Sequence, residues 1–151
     1  MGLVELYDVI QPSAFSDDKL INVSTCGQVG SGDKVLIAGV IINGTTSKRM
    51  LIRAGGPTLA NFGVTSSLAD PTLRLVRQDN GAVVRANGDW EKGNDAVEMV
   101  RVATEVGATA LPAGSKDSAL LITLPPGVYT AIVDSGDGSE GIALVEVYEV
   151  P

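Results

Sequence analysis

The chain has 151 residues, of which 44% are hydrophobic and 4% aromatic, and it contains 18 glycines and 7 prolines. This length and composition suit one β-rich domain of short aliphatic strands joined by tight turns. A net charge of −7 with 11 Lys and Arg residues disfavours nucleic-acid binding, because such binding needs clustered cations. The absence of histidine and the presence of one cysteine exclude Ser-His-Asp and Cys-His catalysis, an internal disulfide and a cysteine-rich zinc site.

The N-terminal segment 3–9 is repeated, with two conservative changes, at residues 144–150. Both copies alternate as strands do and contain β-branched and aromatic residues, so each favours the same position in the same kind of sheet. One domain offers one such position, and the surplus copy therefore predicts a strand that completes a neighbour. We assign residues 1–10 to a donor-type strand, 11–18 to a polar, proline-marked connector and 19–151 to a β-sandwich domain. The donor residues are Leu3, Val4, Glu5, Leu6, Tyr7 and Val9.

The next elements are two strands around a glycine-rich turn. Residues 20–25 predict a short strand, and residues 27–33 a turn. The unbroken apolar run 35–42 predicts a strand that is covered on both faces. Asn43 and Gly44 then indicate a hairpin that would return along residues 49–53.

The middle of the chain contains residues that interrupt regular secondary structure, a second hairpin signal and a helix signal. Residues 54–71 predict a long loop, with one helical turn at most, that crosses between sheets. Strands at 73–77 and 83–86 flank an Asp-Asn-Gly turn. Asp95 and Glu98 resemble a capping box, and Val97, Val100 and Thr104 or Val106 recur at helical spacing, so residues 95–105 predict a helix.

The last third predicts a meander of three strands at 119–124, 128–133 and 144–150, because turn residues separate them. Taken together, the elements predict an all-β fold, a jelly-roll-like or immunoglobulin-like β-sandwich with at most one short helix. No apolar run reaches the length of a membrane span, and the N-terminus lacks the pattern of a signal peptide.

Several side chains are candidate sites, each with a simpler structural explanation. Asn22 and Asn43 lie in glycosylation sequons, and Thr45, Thr46 and Ser47 could take O-linked sugars, although hydroxyl residues are also common in turns. Asp70, Asp79, Asn87 and Asp89 are weak calcium candidates whose spacing is not that of an EF-hand, and turn formation explains them better. Cys26 is expected to be a small buried hydrophobe. We predict no cofactor and no specific metal site.

The chain is expected not to be an enzyme. Trp90 between Asp89 and Glu91 could place a sugar platform beside two carboxylates, as in glycosidases, but one tryptophan and few other aromatics line a groove poorly. A carbohydrate-binding accessory module is the better alternative of this kind.

Nearly the whole chain resembles a module that is found, often in tandem, in secreted proteins of environmental bacteria. The resemblance lies in the segments at 20–25, 51–59, 68–73, 87–90, 124–131 and 141–148, and Cys26 departs from it. Residues 71–150 also resemble the jelly-roll-like pre-peptidase C-terminal domains of secreted bacterial peptidases. The resemblance implies an extracellular β-sandwich of accessory rather than catalytic type.

Three explanations of the repeated strand remain open. In the first, strand 2–10 completes the sheet of an adjacent copy, and the protein is the subunit of an extracellular bacterial filament whose partners are copies of itself, with glycans as possible additions. In the second, strand 2–10 belongs to a preceding unit of a longer tandem polypeptide. In the third, both copies pair within one monomeric domain.

Overall fold

The computed structural model describes residues 22–93 and 95–151. The donor strand 1–10 and the connector 11–18 lie outside these residues, so their assignment stays a prediction. The described part contains eight strands and one α-helix, and the strands are β1 (Asn22–Val29), β2 (Leu36–Ile42), β3 (Lys48–Gly55), β4 (Pro71–Arg77), β5 (Val83–Asn87), β6 (Ser118–Leu124), β7 (Gly127–Ser135) and β8 (Gly141–Val150).

The strands form a β-sandwich of two antiparallel sheets, which confirms the predicted fold class. Sheet A has the order β1-β8-β3-β6, and sheet B has the order β2-β7-β4-β5. The core between the sheets consists of aliphatic side chains from alternating strand positions, as strand geometry requires. Its fully buried members include Ile52 and Val145 from sheet A and Leu73, Tyr129 and Val133 from sheet B.

Most connections cross from one sheet to the other, and this overturns two predicted pairings. The turn at Asn43 and Gly44 is not a hairpin, because β2 pairs with β7 and β3 pairs with β6 and β8. The last three strands form no meander, since β6 and β8 lie in sheet A and β7 lies in sheet B. The hairpin of β4 and β5 is confirmed, as is the crossing loop after β3, whose helical turn is a 3₁₀ helix at Pro57–Phe62.

The predicted first strand and its glycine-rich turn are shifted. β1 continues through Gly27, which pairs with Ala143, to Val29, which pairs with Gly141. The turn begins only afterwards, where Gly30 N–H donates to Lys34 O at 2.8 Å. Strand pairing to β8 therefore overrides the local preference of glycine for a turn.

The long loop reaches back to sheet A through a close backbone approach. Leu68 N–H donates to Ile142 O at 2.8 Å, and Ile142 N–H donates to Ser66 O at 2.7 Å. A Cβ at Gly141 would lie 2.5 Å from Leu68 N, and one at Gly56 would lie 2.3 Å from Leu68 O. Glycine is required at both positions because a larger residue would push the backbones apart.

Helix α1 (Ala96–Glu105) confirms the predicted helix, but of the positions that gave the helical spacing only Val106 is buried. Val97 is 88% and Val100 53% exposed, whereas Met99, Val102 and Val106 are buried. These three pack on the outer face of sheet A, beside Trp90 from a 3₁₀ turn at Trp90–Lys92, and form a second core with Leu51, Ala119, Leu121, Tyr148 and Val150.

The predicted capping box at the start of α1 is wrong. Asp95 makes no capping hydrogen bond, and its carboxylate instead forms an ion pair with Arg85 of β5. Glu98 pairs with Arg49 of β3 at 2.6 Å and with Arg101 at 2.9 Å. These two arginines lower the pKa of Glu98 to about 2. The acidic residues thus attach α1 to the sandwich instead of capping it.

Candidate assembly surface

β2 lies at an edge of sheet B and was expected to be covered on both faces, but it is not. Ile37 is 51% and Ile41 52% exposed. Within the described part of the chain, β7 is the sheet neighbour of β2, and the other side of β2 has none. Burial on both faces is found instead in β3, which lies inside sheet A under α1.

The free side of β2 presents backbone groups of alternate residues. Gln78 N–H donates to Val128 O at 2.9 Å, so the backbone of Val128 points towards β4 and that of Tyr129 towards β2. Tyr129 is the register partner of Val40. Because backbone groups alternate along a strand, those of Ile37, Gly39 and Ile41 point away from the sheet.

The outer face of sheet B next to this edge is apolar. Ile37 lies opposite Ile132, and Ile41 lies opposite Val128, which is 49% exposed. We call the β2 backbone edge together with Ile37, Ile41, Val128 and Ile132 the open edge. β2 contains neither a charged residue nor proline, which are the features that usually protect an edge strand from pairing with another chain.

The opposite side of the sandwich is closed by side chains. Arg85 Nη1 donates to Leu121 O at 3.4 Å, and Ala119 N–H donates to Asn87 Oδ1 at 3.3 Å. Trp90 N–H donates to Asp117 O at 2.9 Å. Two backbone groups on the free side of β6 and one directly before the strand therefore have partners, and this edge offers few sites for a further strand.

The edges at β1 and β5 differ from the open edge in other ways. β5 has five residues, and its pairing with β4 shifts register between Leu75 and Val76, an irregularity that hinders further pairing. β1 contains Asn22, Ser24 and Gln28 on its outer side, and Asn22 Nδ2 donates to Val147 O at 3.3 Å. β5 also exposes Val83 (56%) and Val84 (41%), but among these edges only β2 consists entirely of aliphatic residues and glycine.

The glycosylation candidates fall into two environments. Asn43, Thr45, Thr46 and Ser47 are exposed in the loop after β2, where enzymes could reach them. Asn22 is half-buried, and its amide is occupied by the hydrogen bond to β8. Glycosylation stays a prediction, and Asn43 is better placed for it than Asn22.

The calcium candidates are engaged with cations or backbone groups. Asp70 pairs with Lys116 at 2.5 Å, Asp79 with Arg77 at 2.8 Å and Asp89 with Lys92 at 2.5 Å. Asn87 Oδ1 accepts a hydrogen bond from Ala119 N–H of β6 at 3.3 Å. Residues 22–93 and 95–151 contain no group of three or more acidic or cysteine side chains that could hold a metal ion.

The expectation that Cys26 is buried is wrong. The side chain is exposed, because Cys26 lies on the outer side of β1, where sheet A has no cover from α1. Trp90, which the sequence disfavours as a sugar platform, is 5% exposed, and its Nε1–H donates to Pro112 O at 3.2 Å.

The C-terminal copy of the repeated strand makes specific contacts that alternation alone could not reveal. β8 is an internal strand between β1 and β3. Glu146 Oε2 lies 3.3 Å from Nε of the buried Arg53, and Tyr148 Oη donates to Glu146 Oε1 at 2.8 Å. Glu5 and Tyr7 have the same spacing in the first copy.

Comparison with known proteins shows the fold. No family model and no curated protein matches the chain. The structure of the pre-peptidase C-terminal domain of a collagenase from Bacillus anthracis matches with a TM-score of 0.50 over 84% of this chain and 89% of that one, at 13% sequence identity. In residues 22–93 and 95–151, no helix has the length and apolar character needed to cross a membrane.

Proposed function

We propose that the protein is a structural subunit of an extracellular bacterial filament, in which strand 2–10 of one copy pairs with the open edge of the next. The observation that supports this most directly is β2 itself. It is a seven-residue edge strand without charge or proline, with Ile37 and Ile41 half exposed. Such an edge favours pairing with another strand.

The sequence of the donor segment fits this edge on both faces. Leu3, Tyr7 and Val9 form one row, which also contains Glu5, and Val4 and Leu6 form the other, which also contains Asp8. A strand beside β2 would place one row next to the exposed isoleucines of the outer face. The other row would extend the core beside Leu36 and Ala38, which are only partly buried. Cross-strand contacts of this kind stabilise a sheet by about 0.2–1 kcal/mol per pair.

The geometry of this contact leads to a polymer. The donor is an N-terminal strand and the acceptor is the β2 edge, so the two surfaces differ. Contacts between unlike surfaces repeat head to tail and form an open filament unless the rotation closes a ring. The extracellular and bacterial assignment rests on the resemblance to secreted modules and on the likeness in fold to a domain of a bacterial collagenase.

The proposal is tested by a charge at the open edge. Ile41→Lys should abolish filaments seen by electron microscopy and reduce light scattering, because lysine at an edge opposes pairing. Val97→Lys is the matched control, since Val97 is an 88% exposed valine on α1, and it should assemble normally. Deletion of residues 2–10 should also abolish filaments. Equal assembly of the two lysine variants would exclude the open edge, and a monomeric wild-type chain would exclude the filament.

A second function is supported by the contacts of β8. β8 of the same chain occupies the position between β1 and β3. Glu5 and Tyr7 have the same spacing as Glu146, which lies beside Arg53, and Tyr148, which donates to Glu146. Strand 2–10 would then complete a preceding unit, and the protein would be a tandem accessory module of a larger secreted protein. This interpretation predicts that Val147→Leu with Glu149→Asp, which makes residues 144–150 identical to residues 3–9, changes stability by less than about 1 kcal/mol. A loss of about 3 kcal/mol or more would contradict it.

A further inference from the structure

A small apolar cavity lies between α1 and the outer face of sheet A. Its volume is about 110 Å³, and Leu51 and Ala119 of the sheet and Met99 and Ala103 of the helix contribute to its walls. A cavity of about 150 Å³ holds benzene, which has six heavy atoms. This one therefore encloses about four or five heavy atoms, and because it is partly open to solvent the end of a ligand of seven heavy atoms can extend out of it.

A buried cation lines the cavity. Arg53 is 3% exposed, and within the described residues its Nε and Nη1 donate no hydrogen bond. Nε lies 3.3 Å from Glu146 Oε2, so the charge of the guanidinium has a counterion although the bond is not aligned. Buried donors normally have an acceptor, so this group points to a ligand that supplies one.

The charges around Arg53 determine which acceptor fits. Glu146 already balances the guanidinium and accepts the Tyr148 hydroxyl at 2.8 Å. A second carboxylate would add an uncompensated negative charge to an apolar site, which is costly. An uncharged acceptor satisfies the donors without that cost.

We propose that this cavity binds a small uncharged group with one hydrogen-bond acceptor and a short aliphatic body, such as an aliphatic amide or ketone, whose oxygen accepts from Arg53. The aliphatic body would pack against Met99 and Ala103. The site lies on sheet A, away from the open edge of sheet B, so it is independent of assembly.

The test uses pentanamide and pentanoate, which differ in charge and have the same length. The intact chain contains one tryptophan, Trp90, which lines the cavity, so its fluorescence reports binding. Pentanamide should bind saturably at millimolar concentration and at least about tenfold more tightly than pentanoate. Equal binding of the two probes, or no binding of pentanamide up to about 50 mM, would overturn the proposal.

A pair of helix variants places the binding in the cavity. Ala103→Leu fills the cavity from α1 and should weaken pentanamide binding at least about tenfold while the chain stays folded. Val97→Leu places a leucine on the exposed face of the same helix instead and should leave the affinity unchanged. Unaltered affinity in folded Ala103→Leu would show that the probe binds elsewhere and would also overturn the proposal. If Ala103→Leu does not fold, NMR of the wild-type chain replaces it, and pentanamide should change the chemical shift of the Met99 methyl group. An unchanged shift would overturn the proposal.

Discussion

The outer faces of the two sheets are built from similar residues but meet different surroundings. On sheet A, Leu51 and Leu121 lie under α1 and are 1% and 7% exposed. On sheet B, Ile37 and Ile41 are about as apolar and are 51% and 52% exposed. The apolar character of a strand thus shows that it can be covered, whereas the element that packs on it determines whether it is.

The largest expected effect comes from truncating an equivalent side chain on each face. Leu51→Ala should lower the free energy of unfolding by about 2–5 kcal/mol, because it leaves a cavity beneath α1. Ile41→Ala should cost less than about 1 kcal/mol, since half of that side chain already contacts solvent in the monomer. Urea denaturation of both variants, at concentrations where the chain is monomeric, measures the difference. Equal losses would show that the two faces are covered alike in solution.

A buried carboxylate on the closed side should produce the next largest effect. Asp117 is fully buried and accepts hydrogen bonds from Gly56 N–H at 2.8 Å, Thr58 N–H at 3.2 Å and the Thr58 hydroxyl. Asp117→Ala leaves these donors without an acceptor and should cost about 2–4 kcal/mol of unfolding free energy. The control is Asp79→Ala, which removes a pair between the exposed Asp79 and the partly exposed Arg77 and should cost less than about 1 kcal/mol.

Opening the closed edge of β6 should have a smaller effect. Asn87→Ala removes the acceptor of Ala119 N–H and should cost about 1 kcal/mol. Amide exchange at Ala119 should accelerate, because its N–H becomes available to solvent. Gln78→Ala, which removes an exposed bond to Thr130, should leave this amide unaffected. Unchanged exchange in Asn87→Ala would show that β6 is protected by another group.

The fold class could be predicted because the alternation of apolar residues in strands and the residues that form turns are properties of short stretches of sequence. The sequence predicted the β4–β5 hairpin and the existence of α1 for the same reason. It did not predict the partners of β2, since the pairing of β2 with β7 joins segments about 90 residues apart. Nor did it predict the face that α1 buries, because Glu98 and Asp95 are held by Arg49 and Arg85 from other strands. The open edge could not be found from the sequence, since the apolar run of β2 is also typical of a strand that is covered on both faces, and only the packing shows that one face of β2 is exposed.

The effect that is smallest at neutral pH concerns Tyr148, which lies under α1 and distinguishes the two outer faces by their response to pH. Burial and the hydrogen bond to Glu146 raise the pKa of Tyr148 to about 12 from its usual value near 10. Below pH 10 the hydroxyl is protonated in the folded and unfolded chains alike, so its contribution to stability is complete. Between these two values the unfolded chain loses the proton first, and the contribution is lost as the pH rises through the folded pKa.

Tyr148→Phe removes both the titration and the bond to Glu146. It should cost about 1 kcal/mol at neutral pH, and its unfolding free energy should fall less steeply than that of the wild type between about pH 10 and pH 12. The difference between the two chains isolates this tyrosine, because lysine titration contributes equally to both. If the unfolding free energies of the two chains fell in parallel with pH, the Tyr148 hydroxyl would be as accessible to solvent as the exposed side chains of sheet B are. The contrast between the faces would then hold for packing but not for electrostatics.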